Sequence, residues 1–197
     1  MRKILLIVLL FMSSVVMGAE ISGYVGKLQF KPDFANSSGL NEEAWTVDGR
    51  IDFAIQEHFF IEFGIGALFL DDNNKFEQEV TYINDYYRDN YYQDVYIAES
   101  SETGFLFSIA SKINYPMNDV FSINTLAGYE YMNFDREIAD CETCYSEAVD
   151  IEAGFFLGLG AGIVFGQNVE LKFQYKMYLT DGSDIEDQVL VGLSYIM

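Results

Sequence analysis

Charged residues recur at alternate positions inside otherwise apolar segments of this chain. Arg50 and Asp52 lie in one such segment, Glu62 lies in the next, and Lys112 lies in a later one. Alternate side chains of an extended segment share a face, so a tight hairpin would set Asp52 opposite Glu62 and Arg50 diagonal to it. Like charges placed opposite each other repel, and an arginine can bridge two carboxylates. We therefore predict an interior ion network of Arg50, Asp52, Glu62 and Lys112.

Two lysines of a later segment fall opposite glycines. A tight turn after Phe165 would set Lys172 opposite Gly162 and Lys176 opposite Gly158. A long basic side chain fits where its partner has none, so we predict that both lysines join the interior charges. The other charges of this parity are Lys27, Asp48, Glu130, Asp150, Glu152 and Glu170.

These interior charges permit two interpretations. In the first, they neutralise one another inside a narrow closed core, because an unpaired buried charge is costly. In the second, they line a path that conducts ions or small solutes. Residue types and spacing leave both open.

The segment Asp71–Glu102 is the best candidate for a role that a strand scaffold does not require. It carries nine acidic and two basic residues. Its tyrosines are Tyr82, Tyr86, Tyr87, Tyr91, Tyr92 and Tyr96. Tyrosines supply large contact area at low entropic cost and are common in recognition surfaces. We predict either a recognition surface or a self-packed cluster that keeps the loop ordered.

Cys141 and Cys144 lie in a polar stretch. In an exported protein the leading interpretation is a local disulfide, because the compartment is oxidising. A redox-active pair lacks the surrounding βαβ pattern, and a zinc site lacks a second ligand pair.

Catalysis and metal binding have little support in the residues. The single histidine, His58, falls in a short turn, away from the long loops, so a general base near those loops is missing. Acidic loop residues such as Asp181 and Asp184 suit calcium or magnesium that bridges lipid phosphates, but no calcium-loop motif is present. A solvated acidic surface is the alternative, and we predict no enzyme activity and no cofactor.

The elements that position these residues are strands. Trp45, Val47, Gly49, Ile51 and Phe53 share one parity, and this period of two predicts a strand with one apolar face. Eight such segments occur: Ile21–Phe30, Ala44–Ile55, Phe59–Leu70, Thr103–Tyr115, Val120–Phe134, Val149–Phe165, Val169–Leu179 and Gln188–Met197. In the first, Tyr24, Leu28 and Phe30 form the apolar parity. The connections alternate between tight turns and long acidic loops, which predicts an all-β, eight-stranded antiparallel up-and-down barrel.

Residues 1–19 have the features of an export signal, which leaves 20–197 as one barrel domain. Arg2 and Lys3 precede a short apolar stretch, and Gly18-Ala19 offers a small-residue cleavage site. An uncleaved anchor is the alternative, but Ser13 interrupts the apolar stretch early. The formal net charge of −20 argues against nucleic-acid binding and favours cations or basic partners.

Side-chain volume predicts that the apolar face points outward. Roughly forty large apolar residues share one parity, and an eight-stranded barrel encloses too little space for them. A soluble, lipocalin-like barrel would need them inside. Aromatic residues near the strand ends, such as Trp45 and Phe165, are typical of the interfacial girdles of a transmembrane barrel.

These features resemble the small outer-membrane β-barrel superfamily that includes the OmpA membrane domain, OmpX, OmpW and the opacity proteins. The resemblance rests on the export signal, the alternating strands, Gly160–Phe165 leading into Val169–Tyr175, and the ending Gly192–Met197. Gly192 and Tyr195 match the family's final strand, whereas Met197 departs from its usual terminal phenylalanine.

The resemblance implies a location in the cell outer membrane, with the long loops outside. It implies contact with outer-membrane lipid and lipopolysaccharide, with the barrel-insertion machinery, and with a host or phage surface ligand. We predict a scaffold that presents its loops for surface interaction, and the alternative is a narrow OmpW-like channel for small solutes. Enzymatic barrels of this membrane would bring a histidine paired with a serine or carboxylate near the outer rim, which this chain lacks.

Overall fold

Among the residues that the structure describes, eight antiparallel strands form a closed barrel in this computed structural model. The described residues are 18–38, 40–70, 100–138, 146–166, 168–180 and 182–197, and the backbone alone is described for 100–103, 135–138 and 146–150. The elements are β1 (Ala19–Phe30), α1 (Pro32–Ser38), β2 (Glu43–Gln56), β3 (Phe59–Phe69), β4 (Ser100–Pro116), β5 (Phe121–Ile138), β6 (Ser146–Phe165), β7 (Val169–Tyr178) and β8 (Ile185–Ile196). Each strand pairs with the next, and β8 pairs with β1. The predicted eight-stranded up-and-down barrel is confirmed, with small shifts at the strand ends.

The apolar side chains of the strands point outward. Leu157 of β6 is 46% exposed, whereas Lys176 of β7 is 0% exposed. Similar exposure is found on other strands, at Val25, Ile65 and Phe107. This is the arrangement of a barrel surrounded by lipid, and it is the reverse of what a soluble barrel requires.

Aromatic residues border the apolar band at both ends. At the end with the long connections, hereafter the loop end, Trp45, Phe69 and Tyr131 are exposed. At the opposite, turn end, Tyr115, Phe121 and Phe165 are exposed. These positions match two interfacial girdles.

The predicted facing of β1 was wrong. Tyr24, Leu28 and Phe30 are buried in the lumen, and Lys27 points outward. Tyr24 is directly opposite Asp48 of β2, which also faces inward, and directly paired residues point to the same side of a sheet. Both parities of β1 carry apolar residues, so alternation alone did not distinguish its two faces.

A β-bulge in β6 overturned the predicted inward position of Glu152. The pairing of β5 with β6 shifts between Glu130 and Met132, and Gly154 has a φ of 91°. An extra residue reverses the parity of the strand beyond it, so Glu152 is exposed. The side chain of Asp150 lies outside the described residues.

The short helix α1 was not predicted. Pro32 opens it, Asp33 lies in its first turn, and these residue types favour a helix N-terminus. Phe34 of α1 packs its ring 5.3 Å from that of Phe30. Within the described residues, no helix has both the length and the hydrophobicity needed to cross a bilayer.

The lumen has two zones of different chemistry. Most of the buried charged side chains lie toward the turn end, although the buried polar side chains of Thr46, Ser183 and Gln188 lie toward the loop end. Buried apolar side chains fill the half toward the loop end, and we call this group the apolar plug. Its members include Leu28, Phe30, Leu40, Leu68, Leu106, Met132, Phe134, Phe156 and Ile185. In β3, for example, Leu68 lies closer to the loop end than Glu62 does, and in β4 Leu106 lies closer to it than Lys112.

Candidate functional site: a charged network inside the barrel

Arg50 is the centre of the buried charges. Its Nε donates a hydrogen bond to Asp48 Oδ2 at 2.6 Å, and its Nη1 donates to Glu62 Oε1 at 3.0 Å. Nη1 also donates to Gln174 Oε1 on β7. The guanidinium carbon lies 4.3 Å from the centroid of the Tyr24 ring, within the range of a cation–π contact. Arg50 therefore holds two carboxylates, an amide and an aromatic ring at once.

Asp52 and Glu62 lie directly opposite each other in the β2–β3 register, as the sequence predicted. Each carboxylate has a different cation, since Lys112 pairs with Asp52 and Arg50 pairs with Glu62. These two ion pairs offset the repulsion between the facing carboxylates.

The pairing of these strands shifts by one residue next to the turn that connects them. The Asp52–Glu62 register, continued without a shift, would pair Ile55 with Phe59, whereas the structure pairs Gln56 with Phe59 and Ala54 with Phe60. Ile55 is therefore the extra residue of a bulge next to the turn. The pairing beyond Ala54 is unaffected, which is why the predicted Asp52 register holds.

Glu20 connects the predicted lysines. The Lys172 ammonium pairs with Glu20 Oε1, and the Lys112 ammonium lies 3.7 Å from Glu20 Oε2. Lys172 also lies 3.6 Å from Glu170 Oε2, and Glu170 Oε1 accepts a hydrogen bond from Ser122 Oγ at 2.5 Å. A continuous series of charged contacts therefore crosses the lumen from β4 to β1 and on to β7.

Lys176 belongs to a second group nearer the plug. Its ammonium lies 2.5 Å from Glu130 Oε2, and Tyr178 donates its hydroxyl to Glu130 Oε1 at 2.5 Å. The ammonium is also 4.5 Å from the centroid of the Phe156 ring. This group joins the charged zone to the apolar plug.

The two lysine–glycine registers are as predicted, but the reason offered for them was wrong. Gly162 pairs with Lys172, and Gly158 pairs with Lys176. A Cβ on Gly162 would instead meet the Glu170 carboxylate and Ser122 Oγ, and one on Gly158 would meet Leu126 at 3.3 Å. The glycines therefore make room for Glu170 of β7 and for Ser122 and Leu126 of β5.

Four members of this site were not among the predicted site residues: Glu20, Tyr24, Gln174 and Tyr178. Glu20 lies next to the predicted signal cleavage site and just before the predicted first strand, so strand alternation did not assign it to a face. Tyr24 was assigned to the wrong face. The parity of Gln174 with Lys172 and Lys176 was a usable signal for its inward position.

The lumen holds more acid than base. Among the described residues, six buried carboxylates (Glu20, Asp48, Asp52, Glu62, Glu130 and Glu170) meet four buried cations (Arg50, Lys112, Lys172 and Lys176). Each cation contacts at least one of these carboxylates. Within the described residues, no group of three or more His, Cys, Asp or Glu side chains is arranged to hold a metal ion.

The remaining predicted sites have other positions. Cys141 and Cys144 lie outside the described residues, as do the loop tyrosines Tyr82, Tyr86, Tyr87, Tyr91, Tyr92 and Tyr96. His58 lies at the turn end, and its ring stacks on Tyr115 at 5.5 Å.

Comparison with known proteins assigns the family. The family model described as "Outer membrane protein beta-barrel domain" matches residues 4–196. The chain belongs to this family. Membership implies an outer-membrane location for the barrel, as the outward apolar face does independently.

Solved structures share the fold at low sequence identity. Ail, the attachment invasion locus protein of Yersinia pestis, has a TM-score of 0.51 at 11% identity, with 91% of this chain and 98% of Ail covered. Ail in complex with the heparin analogue sucrose octasulfate has a TM-score of 0.50 at 13% identity, with 91% and 99% covered. Neisserial surface protein A has a TM-score of 0.54 at 5% identity, with 90% and 96% covered. No curated protein matches the chain in sequence.

Proposed function

We propose that this family member is a non-conducting outer-membrane scaffold that presents acidic, tyrosine-rich loops for surface interaction. The observation that supports a non-conducting barrel is that two separate groups of side chains close the lumen. The charged network crosses the turn-end half through Glu20 and Arg50, and the apolar plug fills the loop-end half. A conducting path would have to break both groups.

The burial of the lumen charges favours a non-conducting scaffold over a narrow channel. Arg50, Lys112 and Lys176 are each no more than 1% exposed, so their charges are not presented to a water column. The plug adds a barrier of a different kind, because an apolar constriction excludes hydrated ions.

The charge of the loops sets the kind of partner. The segment Asp71–Glu102 contributes nine acids and two bases to a chain of net charge −20. Ail was solved with a polyanionic heparin analogue, and the acid excess of this chain predicts the opposite preference. We infer that its surface partners are cationic, with tyrosines supplying contact area.

Planar-bilayer recording of the refolded chain tests the closure. The scaffold predicts no regular conductance steps at neutral pH. Reproducible open-state steps in the unaltered protein would establish the channel instead.

A loop deletion tests the surface role. Bacteria that produce the intact protein or a variant without residues 72–98 are compared for adhesion to host cells and for phage sensitivity. A matched full-length variant with the six loop tyrosines replaced by serine separates aromatic contact from charge. Equal adhesion and equal phage sensitivity of all three strains would dismiss the proposed surface role.

A further inference from the structure

Three acidic side chains form a row across the inner wall of the barrel. Glu20 of β1 pairs directly with Asp52 of β2, and Asp52 pairs directly with Glu62 of β3. All three are buried. Directly paired residues have Cβ atoms about 5 Å apart and point to the same side of a sheet. Asp52 therefore has a buried carboxylate on each side, and negative charge is concentrated at the centre of the row.

The cations of the lumen do not neutralise this charge completely. Among the described residues, six buried carboxylates meet only four buried cations. Lys112 is divided between Asp52 and Glu20, and Lys172 is divided between Glu20 and Glu170. A buried carboxylate without a full counter-charge is costly, and such a group takes up a proton rather than remain charged. The acid excess therefore predicts that the folded barrel retains protons in its lumen.

Unpartnered oxygen atoms show where a proton would be held. Lys112 donates to Asp52 Oδ2, and Arg50 donates to Glu62 Oε1. The other oxygens of these carboxylates, Asp52 Oδ1 and Glu62 Oε2, are buried and have no hydrogen-bond partner among the described residues. Two acceptors cannot hydrogen-bond to each other, but a proton on either one creates a donor and an acceptor. An O–H···O⁻ hydrogen bond of this kind is short and strong.

Three of the other buried carboxylates have a contact on each oxygen. Glu130 accepts from Lys176 on one oxygen and from the Tyr178 hydroxyl on the other. Glu20 and Glu170 also have a donor or a cation beside each oxygen. These groups are therefore stabilised as anions.

Asp48 differs from the facing pair in its neighbours. Its Oδ1 also lacks a hydrogen-bond partner within the described part of the chain. Its direct partners across the strands are Tyr24 and Gly66, so a proton on Asp48 would have no second carboxylate to share it. Asp52 and Glu62 are the described carboxylates that combine direct pairing with an unpartnered oxygen on each, and we call them the acid pair.

The charged and titratable groups around the acid pair come from several strands. The cations are Arg50 of β2, Lys112 of β4, and Lys172 and Lys176 of β7. The acidic and hydroxyl groups are Glu20 and Tyr24 of β1, Asp48 of β2, Glu130 of β5 and Tyr178 of β7. Described inward residues of β6 and β8, such as Gly162 and Ser194, carry no charge. Each of the four cations already contacts a carboxylate oxygen other than the two unpartnered ones, which leaves a proton to neutralise those.

We propose that Asp52 and Glu62 share one proton at weakly acidic pH, where exposed carboxyls are ionised, and that this proton lies between Asp52 Oδ1 and Glu62 Oε2. The acid pair then carries a single negative charge, with Lys112 beside one end and Arg50 beside the other. Loss of the proton leaves two facing anions whose inner oxygens are buried and unpartnered. The acid pair is thus a pH-sensitive element of the closed lumen, and this role is independent of any surface interaction of the loops.

Proton linkage gives the direction of the pH effect. In the unfolded chain, aspartate and glutamate lose their protons at about pH 4, whereas the acid pair of the folded barrel still holds one above that pH. The folded state therefore binds one more proton than the unfolded state in this range, and raising the pH favours unfolding. One proton corresponds to a fall of about tenfold in the folding equilibrium constant per pH unit.

Infrared spectroscopy detects the proton directly, because a carboxylic acid and a carboxylate have different stretching bands. Spectra of the refolded full-length protein in detergent micelles are recorded at about pH 6, where exposed carboxyls are ionised, and variant spectra are subtracted to cancel the loop carboxyls. Asp52→Asn and Glu62→Gln should each remove the acid band, because the remaining carboxylate has its own cation and ionises. Glu130→Gln is the matched control and should keep the band, since both oxygens of Glu130 are already partnered.

Unfolding measurements test the pH-sensitive role. The folding equilibrium constants of the unaltered protein and of Asp52→Asn are measured by urea titration from weakly acidic to alkaline pH. The asparagine amide can donate to Glu62 as the shared proton does, but it does not titrate. The ratio of the two constants, unaltered over Asp52→Asn, should therefore fall with rising pH by up to about tenfold per unit. Heat-modified gel migration verifies folding, and Glu62→Gln replaces Asp52→Asn if the latter fails this check.

Several outcomes would overturn the proposal. One is the absence of an acid band from the unaltered protein at about pH 6, which lies above the usual titration of carboxyls. Another is a band that survives Asp52→Asn or Glu62→Gln, or one that Glu130→Gln also removes. A ratio of folding constants that stays the same across the pH range would likewise overturn it.

Discussion

Arg50 of β2 donates a hydrogen bond to the side-chain oxygen of Gln174 on β7, although β1 and β8 separate these strands along the barrel wall. The contact therefore runs through the lumen rather than around it. The same guanidinium holds Asp48 and Glu62 on its own side. One side chain thus links opposite walls, and its removal tests what the network does.

Replacing Arg50 with alanine should destabilise the barrel by about 3–5 kcal/mol, because it leaves buried carboxylates without a cation. Heat-modified gel migration and thermal unfolding of the refolded protein measure the loss. Conductance should stay absent, since the apolar plug remains. Unchanged stability would dismiss a structural role, and new conductance in this single variant would show that the network acts as a gate.

Removing both members of the Asp52–Lys112 pair should cost less than removing one. Lys112→Met leaves Asp52 buried and uncompensated, which should cost about 3–5 kcal/mol, whereas adding Asp52→Leu should restore much of the stability. The coupling is obtained from a double-mutant cycle in unfolding free energy. Strictly additive losses would indicate that the two groups do not stabilise each other.

Adding a methyl group at Gly162 should be harmful, whereas adding one at Gly49 should be tolerated. A Cβ at Gly162 meets Ser122 Oγ at 2.5 Å, and one at Gly49 meets only a backbone oxygen at 4.0 Å. Overpacking of this kind costs about 1–3 kcal/mol. The Tm values of Gly162→Ala and Gly49→Ala are compared, and a Gly49→Ala loss as large as that of Gly162→Ala would contradict the assigned facing.

Truncating the apolar plug should reduce stability without opening the barrel. Phe156→Ala creates a cavity beside Lys176 and should cost about 3–5 kcal/mol. Conductance is expected only when this change is combined with Arg50→Ala, because the two zones close the lumen independently. Regular conductance steps from Phe156→Ala alone would mean that the charged network does not block ions.

Cys141 and Cys144 should be linked in protein recovered from the outer membrane, because export exposes them to an oxidising compartment. Alkylation followed by mass spectrometry should label neither cysteine before reduction and both after it. Reduction should leave the Tm nearly unchanged, since so short a ring removes little chain entropy. Full labelling before reduction would refute the disulfide.

The hairpin contacts show what alternation can predict. Asp52 and Glu62 were placed opposite each other correctly because a short turn leaves few registers that keep the apolar parity outward. The pairing next to the turn differs by one residue from that register, because Ile55 is an extra, bulged residue. The bulge lies between Asp52 and the turn, so the face of Asp52 is unchanged. A bulge within a strand does change the face of the residues beyond it. The bulge near Gly154 is the reason that Glu152 points outward.

The sequence by itself determined the strands, their antiparallel order and the outward direction of the apolar face, because each depends on local alternation and on side-chain volume. It also predicted that Arg50, Asp52, Glu62 and Lys112 lie together. A short turn joins the first three, and Lys112 is on the inward parity of the next strand. Only the tertiary structure decided which face of β1 is inward, since both of its parities carry apolar residues. It alone placed Glu20 between Lys112 and Lys172 and Gln174 against Arg50, because those contacts depend on how the barrel closes between β8 and β1 and on how far each long side chain reaches across the lumen.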